Sequence, residues 1–322
     1  FNKTFFAEGA SGSEHDKALN LSGNNSTRAF VYQTRSWASW AGGHQMRNPY
    51  DFFYPAAEGT VEAWFKPDWN ASIQAEGECI PLFEASHHAS IVYTSQKRFA
   101  LGRQLFLAYD PKTSVIRLEL SDRNMKRFSG SVVRNIDDGK WNHLAVTFQP
   151  GTEACLYLNG ERLLALELNG YEPVDIEHVE FPNDRHAMEF YVGASYVNAR
   201  GFTDNDRKWQ NITDWCSSWY SGLVDGLRVS SAVRYESDFT PPSEEFVSDR
   251  DTRALFNFND EFDGRSGAGI GVIHGTLMGK ENRNSLTLET DKGVLQYYPD
   301  KVSPENDPAS LLKRQNYPEV PS

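Results

Sequence analysis

Short runs in which apolar and polar residues alternate dominate the chain. In GTVEAWFKP, residues 59–67, apolar side chains recur at every second position from Val61 to Phe65. A period of two predicts a β-strand with one buried face. Similar runs predict further strands at residues 105–109, 114–121, 128–135, 143–149, 154–159, 162–168, 188–194 and 223–229.

Turn sequences separate these predicted strands. Asn159-Gly160 lies between CLYL and ERLLAL and is the strongest hairpin signal, because both central residues of a type I′ turn need a positive φ. Residues 142–168 are therefore predicted to form a three-stranded meander. The best helix candidate is a short one at residues 308–314, so the pattern as a whole favours an all-β antiparallel sandwich or barrel.

Two aromatic-rich segments, residues 35–58 and 196–220, interrupt the strands and are predicted to be long loops. Loops beyond about 12–15 residues in a compact domain are usually functional or disordered, and so many aromatic residues argue against disorder. Sugars present apolar C–H faces bordered by hydroxyls, which aromatic rings and neighbouring polar groups can bind; the alternative is that the rings pack the loops onto the sandwich. The predicted ligand-binding residues are Trp37, Trp40, His44, Trp209, Trp215, Trp219 and Tyr220.

Charge and composition narrow the function classes. With 32 Lys and Arg against 44 Asp and Glu, the net charge of −12 argues against nucleic acid as a partner. No apolar run approaches the roughly 18 residues of a membrane span, so membrane insertion is not expected, and no signal peptide is visible in this chain. N-x-[ST] sequons, for example at Asn70 and Asn211, are compatible with export.

Seven segments taken together indicate a family. They are DKALNLSGNN (16–25), GTVEAWFKP (59–67), GKWNHLAVTF (139–148), LYLNGERL (156–163), FYVGAS (190–195), GLVDGLRVSSAVRY (222–235) and FTPPSEEFVSDRDTRALFNF (239–258). In order and spacing they resemble the LamG-like (laminin G-like) domains of the concanavalin A-like lectin/glucanase jelly-roll superfamily. The resemblance implies a two-sheet antiparallel jelly-roll sandwich with one convex and one concave sheet, and the two aromatic loops as insertions.

The resemblance also suggests domain boundaries. Residues 1–260 are predicted to form the LamG-like domain. Residues 261–322 begin Gly-rich and end Pro-rich, and are predicted to be a C-terminal extension or connector.

A catalytic constellation is not evident. The β-glucan-cleaving jelly rolls resemble one another in an E-x-D-x-E strand, which places three carboxylates on one face. The nearest match is PVDIE, where Pro173 replaces the first carboxylate and only Asp175 and Glu177 remain. A polysaccharide lyase remains an alternative, because β-elimination needs a Tyr or His base and a cation rather than paired carboxylates. Candidate lyase groups include His44, His87, His88, His186, Arg98 and Arg103.

Metal-binding signals are partial. Cys79, Cys155 and Cys216 lie far apart in sequence, so a C-x-x-C zinc or thioredoxin-like motif is absent and at least one thiol stays free. Many sandwiches of the superfamily hold a structural Ca²⁺ at a sheet edge. Asp225 in GLVDGLRV matches the family's recurrent Gly-x-x-Asp run and is the ligand that the resemblance implies; the alternative is that Asp225 accepts a hydrogen bond from a neighbouring backbone group or from Arg228.

The function predicted from the sequence is an extracellular or cell-surface LamG-like module that binds a glycan or another cell-surface ligand without catalysis. The first alternative is a polysaccharide-active enzyme, with a lyase favoured over a hydrolase. The second is a structural or assembly module of a cell-surface complex, in which the C-terminal tail contacts protein neighbours.

Overall fold

A computed structural model describes residues 5–22, 28–33, 54–55, 57–87, 102–122, 124, 126–173, 188–199, 216–267, 272–279, 286–290 and 293–297. The described residues form eighteen β-strands and one helical turn. The strands are β1 (Phe6–Glu8), β2 (Lys17–Asn20), β3 (Arg28–Gln33), β4 (Gly59–Pro67), β5 (Ile80–His87), β6 (Gly102–Asp110), β7 (Val115–Ser121), β8 (Arg127–Val133), β9 (Asn142–Phe148), β10 (Glu153–Leu158), β11 (Glu161–Glu167), β12 (Met188–Val192), β13 (Gly222–Ser230), β14 (Thr252–Phe256), β15 (Asp263–Arg265), β16 (Val272–Gly279), β17 (Leu286–Thr290) and β18 (Gly293–Tyr297). The helical turn is α1 (Tyr196–Ala199).

The strands form two antiparallel sheets. Sheet A has the order β11-β10-β9-β4-β13, and the far edge of β13 pairs with β2 at one end and β14 at the other. Sheet B has the order β8-β7-β6-β5-β12-β3-β16-β17-β18. β16 connects the two, because its first residues pair with β15 beside sheet A and its last residues pair with β3.

The hydrophobic core lies between the sheets. Alternate residues of β4, namely Val61, Ala63 and Phe65, point into it, as do Phe190 and Val192 of β12. Aromatic rings fill much of this space; for example, the Phe65 ring lies 5.2 Å from that of Phe83 in an edge-to-face contact. The all-β sandwich predicted from the sequence is therefore confirmed.

A segment without regular strands covers the outer face of sheet A. We call residues 231–249 the strap. The rings of Tyr235 and Phe239 stack on each other with centroids 3.5 Å apart, and Phe239 packs edge-on against Tyr157 of β10. Arg234 ties the strap to its own end by two hydrogen bonds to Asp249, at 2.9 and 2.8 Å. This face of sheet A is consequently occupied by the chain itself.

The predicted meander is confirmed, and the structure shows why its turn needs glycine. β9, β10 and β11 pair in sequence, and Asn159 and Gly160 adopt φ values of 52° and 83°. A Cβ added to Gly160 would lie 1.8 Å from the carbonyl oxygen of Phe239. The strap therefore approaches the turn so closely that a side chain cannot be accommodated. The predicted helix at residues 308–314 lies outside the described residues.

The sandwich extends beyond the boundary predicted at residue 260. β16 forms five residue pairs with β3, from Gly275 opposite Tyr32 to Gly279 opposite Arg28. Ile273 and Leu277 point into the common core. Residues 263–279 thus belong to the sheets rather than to an extension, because they supply the strand that covers the edge of β3. β17 and β18 continue the same sheet, so a connector role stays a prediction only for residues beyond 297.

Candidate functional site

A row of polar and aromatic side chains crosses the outer face of sheet B. Tyr191 of β12 is paired with Glu84 of β5, Glu84 with Phe106 of β6, and Phe106 with Glu119 of β7. Their neighbours in sequence point into the core, so these four side chains point away from it. We call them the outer row. Four adjacent strands thus present two carboxylates and two aromatic rings side by side.

Guanidinium groups balance the carboxylates of the outer row. The Arg103 guanidinium lies 4.0 Å from the centre of the Phe106 ring, and its Nε lies 3.6 Å from Glu84 Oε2. Arg127 Nε lies 3.9 Å from Glu119 Oε1. At these separations the groups form ion pairs, longer than ordinary hydrogen bonds. The outer row therefore joins aromatic surface to charges of both signs.

The outer face of sheet B is covered on one side and open on the other. Glu84 and Arg103 are only 1% and 5% exposed. Glu119 is 9% exposed, whereas Arg127 and the alternate residues Ser129, Ser131 and Val133 of the edge strand β8 are exposed. Tyr191 and Phe106 are also covered, at 0% and 4% exposure, so a ligand can reach only the Glu119 end of the outer row, from the side of β7 and β8.

Several long connections begin or end at one end of sheet B. Glu189 is paired with both Gln33 and Ser86, and His87 with Met188 and Gly102. These pairs place the end of β3, the end of β5, and the starts of β6 and β12 together. Residues 34–53, 88–101 and 174–187 follow or precede these strand ends in the sequence. Five predicted ligand-binding residues lie outside the described residues, namely Trp37, Trp40, His44, Trp209 and Trp215.

Trp219 and Tyr220 are buried completely, which corrects their prediction as ligand-contacting loop residues. Trp219 forms isolated bridges with Ile73 and Ala194, so this piece of chain is strand-like and its side chains alternate. The Trp219 ring packs in a cluster on the outer face of sheet B that includes Tyr191. Tyr220 points the other way, into the main core, and its hydroxyl donates to Leu223 O at 2.9 Å. Neither ring offers a surface to a ligand.

The two arms that flank residues 200–215 are fastened to each other and to sheet B. Ser195 Oγ donates to Cys216 O at 2.6 Å, and Asn198 Nδ2 donates to Ser218 O at 3.1 Å. The Glu78 carboxylate accepts from Ser217 N at 2.6 Å and from Ser218 Oγ at 3.1 Å. We call these two arms, residues 195–199 and 216–219, the stem. The stem fixes where the second aromatic segment leaves and rejoins the sandwich.

Asp225, the predicted calcium ligand, lies buried at the edge of sheet A beside a second carboxylate. Its Oδ2 accepts from Ala10 N at 2.8 Å. Burial raises the pKa of Asp225 to about 7, against the effect of the hydrogen bond from Ala10, and the negative charge of Asp16 contributes to the rise. The two carboxylates border a cleft of about 240 Å³ that Trp64 and Glu245 also line.

Asp16 and Asp225 offer a hard cation two buried carboxylates, fewer ligands than Ca²⁺ usually takes. Asp16 is fully buried; its Oδ2 accepts from Ser11 N at 2.7 Å, while its Oδ1 accepts no hydrogen bond. A buried carboxylate oxygen without a donor is costly, and a cation would satisfy it. Within the part of the chain that the structure describes, no three His, Cys, Asp or Glu side chains converge on one point. Ca²⁺ takes 6–8 oxygen ligands, so backbone carbonyls or water would have to supply the remainder.

A buried charged network beneath the strap was missed by the sequence analysis. Glu62 lies on the polar face of the alternating β4 run, yet the strap buries it completely. Its carboxylate accepts from Arg228 Nε and from Tyr235 OH, both at 2.8 Å, and lies 3.2 Å from His143 Nε2. Burial alone would raise the pKa of Glu62, but the hydrogen bond with His143 and the charge of Arg228 outweigh it and lower that pKa. This network holds the strap and is closed to ligands.

The two-sheet antiparallel fold is that of a jelly-roll sandwich of the concanavalin A-like class. The Laminin_G_3 family model, described as the concanavalin A-like lectin/glucanases superfamily, matches residues 41–238. The chain belongs to this family, which confirms the resemblance seen in the sequence. No curated protein matches the chain in sequence.

Several solved structures are similar to this chain. A candidate carbohydrate-binding protein from Bacteroides ovatus shares 14% identity over 87% of this chain and 61% of that one, with a TM-score of 0.48. A heptameric SAP-like pentraxin from Limulus polyphemus shares 13% identity over 69% of this chain and 78% of that one, with a TM-score of 0.37. The Ruminococcus gnavus IT-sialidase CBM40, bound to α2,3 sialyllactose, shares 11% identity over 68% and 91%, with a TM-score of 0.39. The chain thus spans less than two thirds of the length of the Bacteroides ovatus protein, and these likenesses assign no ligand.

In the described part of the chain, no helix has the length and apolarity needed to cross a membrane.

Proposed function

We propose that the chain is a non-catalytic carbohydrate-binding module whose ligand lies on the outer face of sheet B, at the end marked by Gln33 and Arg127. The observation that carries the proposal is the open edge of this face, where the exposed Arg127 guanidinium lies beside the Glu119 carboxylate and next to the exposed Ser129 and Ser131 of β8. Membership of a superfamily named for lectins and glucanases supports a sugar ligand.

The exposed edge of the outer face of sheet B, formed by β7 and β8, has chemistry that suits a sugar. Sugar-binding sites pair apolar surfaces with a few polar groups that read hydroxyls. Arg127 is exposed beside Glu119, and Glu119 Oε1 is buried without a hydrogen-bond donor. A sugar hydroxyl could donate to that oxygen while Arg127 donates to a second hydroxyl. On the outer face of sheet A the strap covers Glu62 and Tyr157, and the described residues leave there the cleft beside Trp64 and Asp225.

The proposal is tested by glycan-array screening, followed by calorimetric titration of the best ligand into variants. Arg127→Ala and Trp37→Ala should each weaken binding by about 1–3 kcal/mol, the range of a substantial contact at a binding site. Arg134→Ala is the matched control, because Arg134 is an exposed arginine beyond the other end of β8 that pairs with Glu161. Absence of glycan binding by the parent protein, or equal effects at Arg127 and Arg134, contradicts the proposal.

A polysaccharide lyase is the second candidate. The observation that favours it is the exposed Arg127 guanidinium on the outer face of sheet B. A guanidinium can neutralise a substrate carboxylate, while the base would have to come from a tyrosine or histidine other than the fully buried Tyr191. Incubation with uronate-containing polysaccharides, followed by the absorbance of unsaturated products, distinguishes this candidate from a binder, for which no absorbance should develop.

A structural Ca²⁺ at Asp16 and Asp225 forms part of the proposal. These two carboxylates would hold the ion, and its charge would stabilise the contact between the N-terminal residues and β13, to which Asp225 belongs. The fully buried Asp16 and the raised pKa of Asp225 support the site. The module is further proposed to act outside the cell or at its surface, with protein neighbours bound through the C-terminal residues.

A further inference from the structure

Two of the three cysteines meet at the stem. Cys79 immediately precedes β5, and Cys216 begins the returning arm of the stem. The Cys216 thiol donates to the carbonyl oxygen of Cys79 at 3.3 Å, across 137 positions of sequence. Both thiols are free in the structure. Cys155 is remote from them, on the outer face of sheet A in a cluster with Tyr157.

The two thiols lie on the same side of sheet B. Ile80 points into the core, so the preceding Cys79 points to the outer face. The charges of Arg103 and Glu84, both on the outer face, act on the pKa of the Cys216 thiol. A bond between the two sulfur atoms therefore need not cross the sheet or the core.

The two residues lie close to the reach of a disulfide. A carbonyl oxygen lies about 2.4 Å from its own Cα, so the 3.3 Å contact places the sulfur of Cys216 within about 6 Å of the Cα of Cys79. The Cα of Cys216 lies about 2.8 Å from its own sulfur, so the two Cα atoms are at most about 8.5 Å apart. Disulfides join Cα atoms about 4.4–6.8 Å apart, so side-chain rotation and a shift of the stem by at most about 2 Å close the bond.

We propose that Cys79 and Cys216 form an intramolecular disulfide that fastens the stem when the protein meets a small-molecule disulfide oxidant. Cys79 is partly exposed and Cys216 is buried, which sets the order of the steps. The Cys79 thiolate attacks the oxidant, forms a mixed disulfide and releases one thiol. The Cys216 thiolate then attacks the Cys79 sulfur and releases the second thiol. One external disulfide is reduced to two thiols, two protein thiols are oxidised to one disulfide, and their two protons pass to the released thiols.

The environment of the thiols makes this oxidation dependent on pH. Burial raises the pKa of Cys79, and it raises the pKa of Cys216 to about 12. Only the thiolate attacks a disulfide, so the reaction should be slow near neutral pH and accelerate as the pH rises. Burial also raises the pKa of Cys155, which has no neighbouring cysteine among the described residues and should stay reduced.

The test is oxidation of the folded protein with oxidised glutathione at pH 8.5. Remaining thiols are blocked with an alkylating agent, and the protein is then digested and mapped by mass spectrometry. We expect two thiols to be lost from each chain, a peptide pair linking Cys79 to Cys216, and an alkylated Cys155. The melting temperature should rise after oxidation and return to its initial value with dithiothreitol, because a cross-link over a long loop restricts the unfolded chain.

Three single variants separate this pair from other pairings. Cys155→Ser should oxidise like the parent, whereas Cys79→Ser and Cys216→Ser should show neither the linked peptide nor the reversible rise in melting temperature. Three alkylated thiols after oxidation, glutathione retained on Cys79, or a link that involves Cys155 would each overturn the proposal. Glycan binding is not part of the readout, so the result stands apart from the proposed function.

Discussion

Trp219→Ala should destabilise the fold by about 3–5 kcal/mol, the range for removing a large aromatic side chain from a core. Trp219 has 0% exposure and heads the fully buried side chains by volume. A buried aromatic side chain removes roughly 150–250 Å² from water, worth about 4–6 kcal/mol at 25 cal/mol per Å². Alanine keeps a small part of this burial free energy, and partial collapse of the cavity reduces the loss further.

The assay is urea denaturation at constant pH, followed by far-ultraviolet circular dichroism so that loss of a tryptophan does not alter the signal. Trp141→Ala is the matched control. Trp141 is only partly buried and lies 6.0 Å from Lys66 Nζ, so its removal should cost about 1 kcal/mol or less. Trp219→Phe should lower the free energy of unfolding by less than Trp219→Ala does, because Trp219 Nε1 donates no hydrogen bond that phenylalanine would lose.

The reasoning is refuted if Trp219→Ala changes the free energy of unfolding by less than Trp141→Ala does. A loss of glycan binding with unchanged stability would point the same way. Either result would return Trp219 to the ligand-contacting residues predicted from the sequence.

Four further predictions concern the metal site, the buried network and the hairpin. Asp225 has a pKa of about 7 in the folded state against about 3.9 unfolded, so its contribution to stability is fully present below pH 4 and falls by up to about 4 kcal/mol as the pH rises through 7. Between pH 4 and 7 the parent should therefore lose more stability than Asp225→Asn, as measured by denaturation. Above pH 7, Ca²⁺ should raise the melting temperature of the parent and leave Asp225→Ala unchanged; no response to Ca²⁺ or to a chelator removes the site. Glu62→Gln should lower the free energy of unfolding by about 3–5 kcal/mol at neutral pH, because it leaves Arg228 buried without a counter-charge. In the parent, the stabilisation from Glu62 should disappear as acid protonates the carboxylate below its lowered pKa. A calorimetric loss of stability under about 1 kcal/mol in Glu62→Gln contradicts this prediction. Gly160→Ala should lower the melting temperature more than Gly151→Ala, since both have positive φ but only Gly160 meets the strap.

Local patterns predicted the strands but not the site. The Asn159-Gly160 turn is encoded by two adjacent residues, so the meander follows directly from the sequence. The outer row instead joins Glu84, Phe106 and Glu119, each on a different strand. Alternation indicates the face on which each side chain lies, but the register between strands depends on the whole fold. The E-x-D-x-E search therefore could not find carboxylates contributed by separate strands.

Two misplaced residues show how tertiary cover overrides a local pattern. Glu62 lies on the polar face of an alternating strand, which is usually exposed, and only the strap accounts for its burial. Trp219 lies in a segment whose composition resembles a binding loop, yet its backbone bridges to Ile73 place it against the sheet. Both contacts join positions more than a hundred residues apart, so the local sequence does not predict them.

The pairing of β16 with β3 sets an order of events in folding. β3 is made early in synthesis, but its partner on one side, β16, follows more than two hundred residues later in the chain. Until β16 arrives, this edge of β3 is a row of unpaired backbone groups that can recruit a strand from another chain. Such long-range pairing slows folding and prolongs that exposure. A chain truncated at residue 260 would keep the edge open permanently, and we expect it to aggregate.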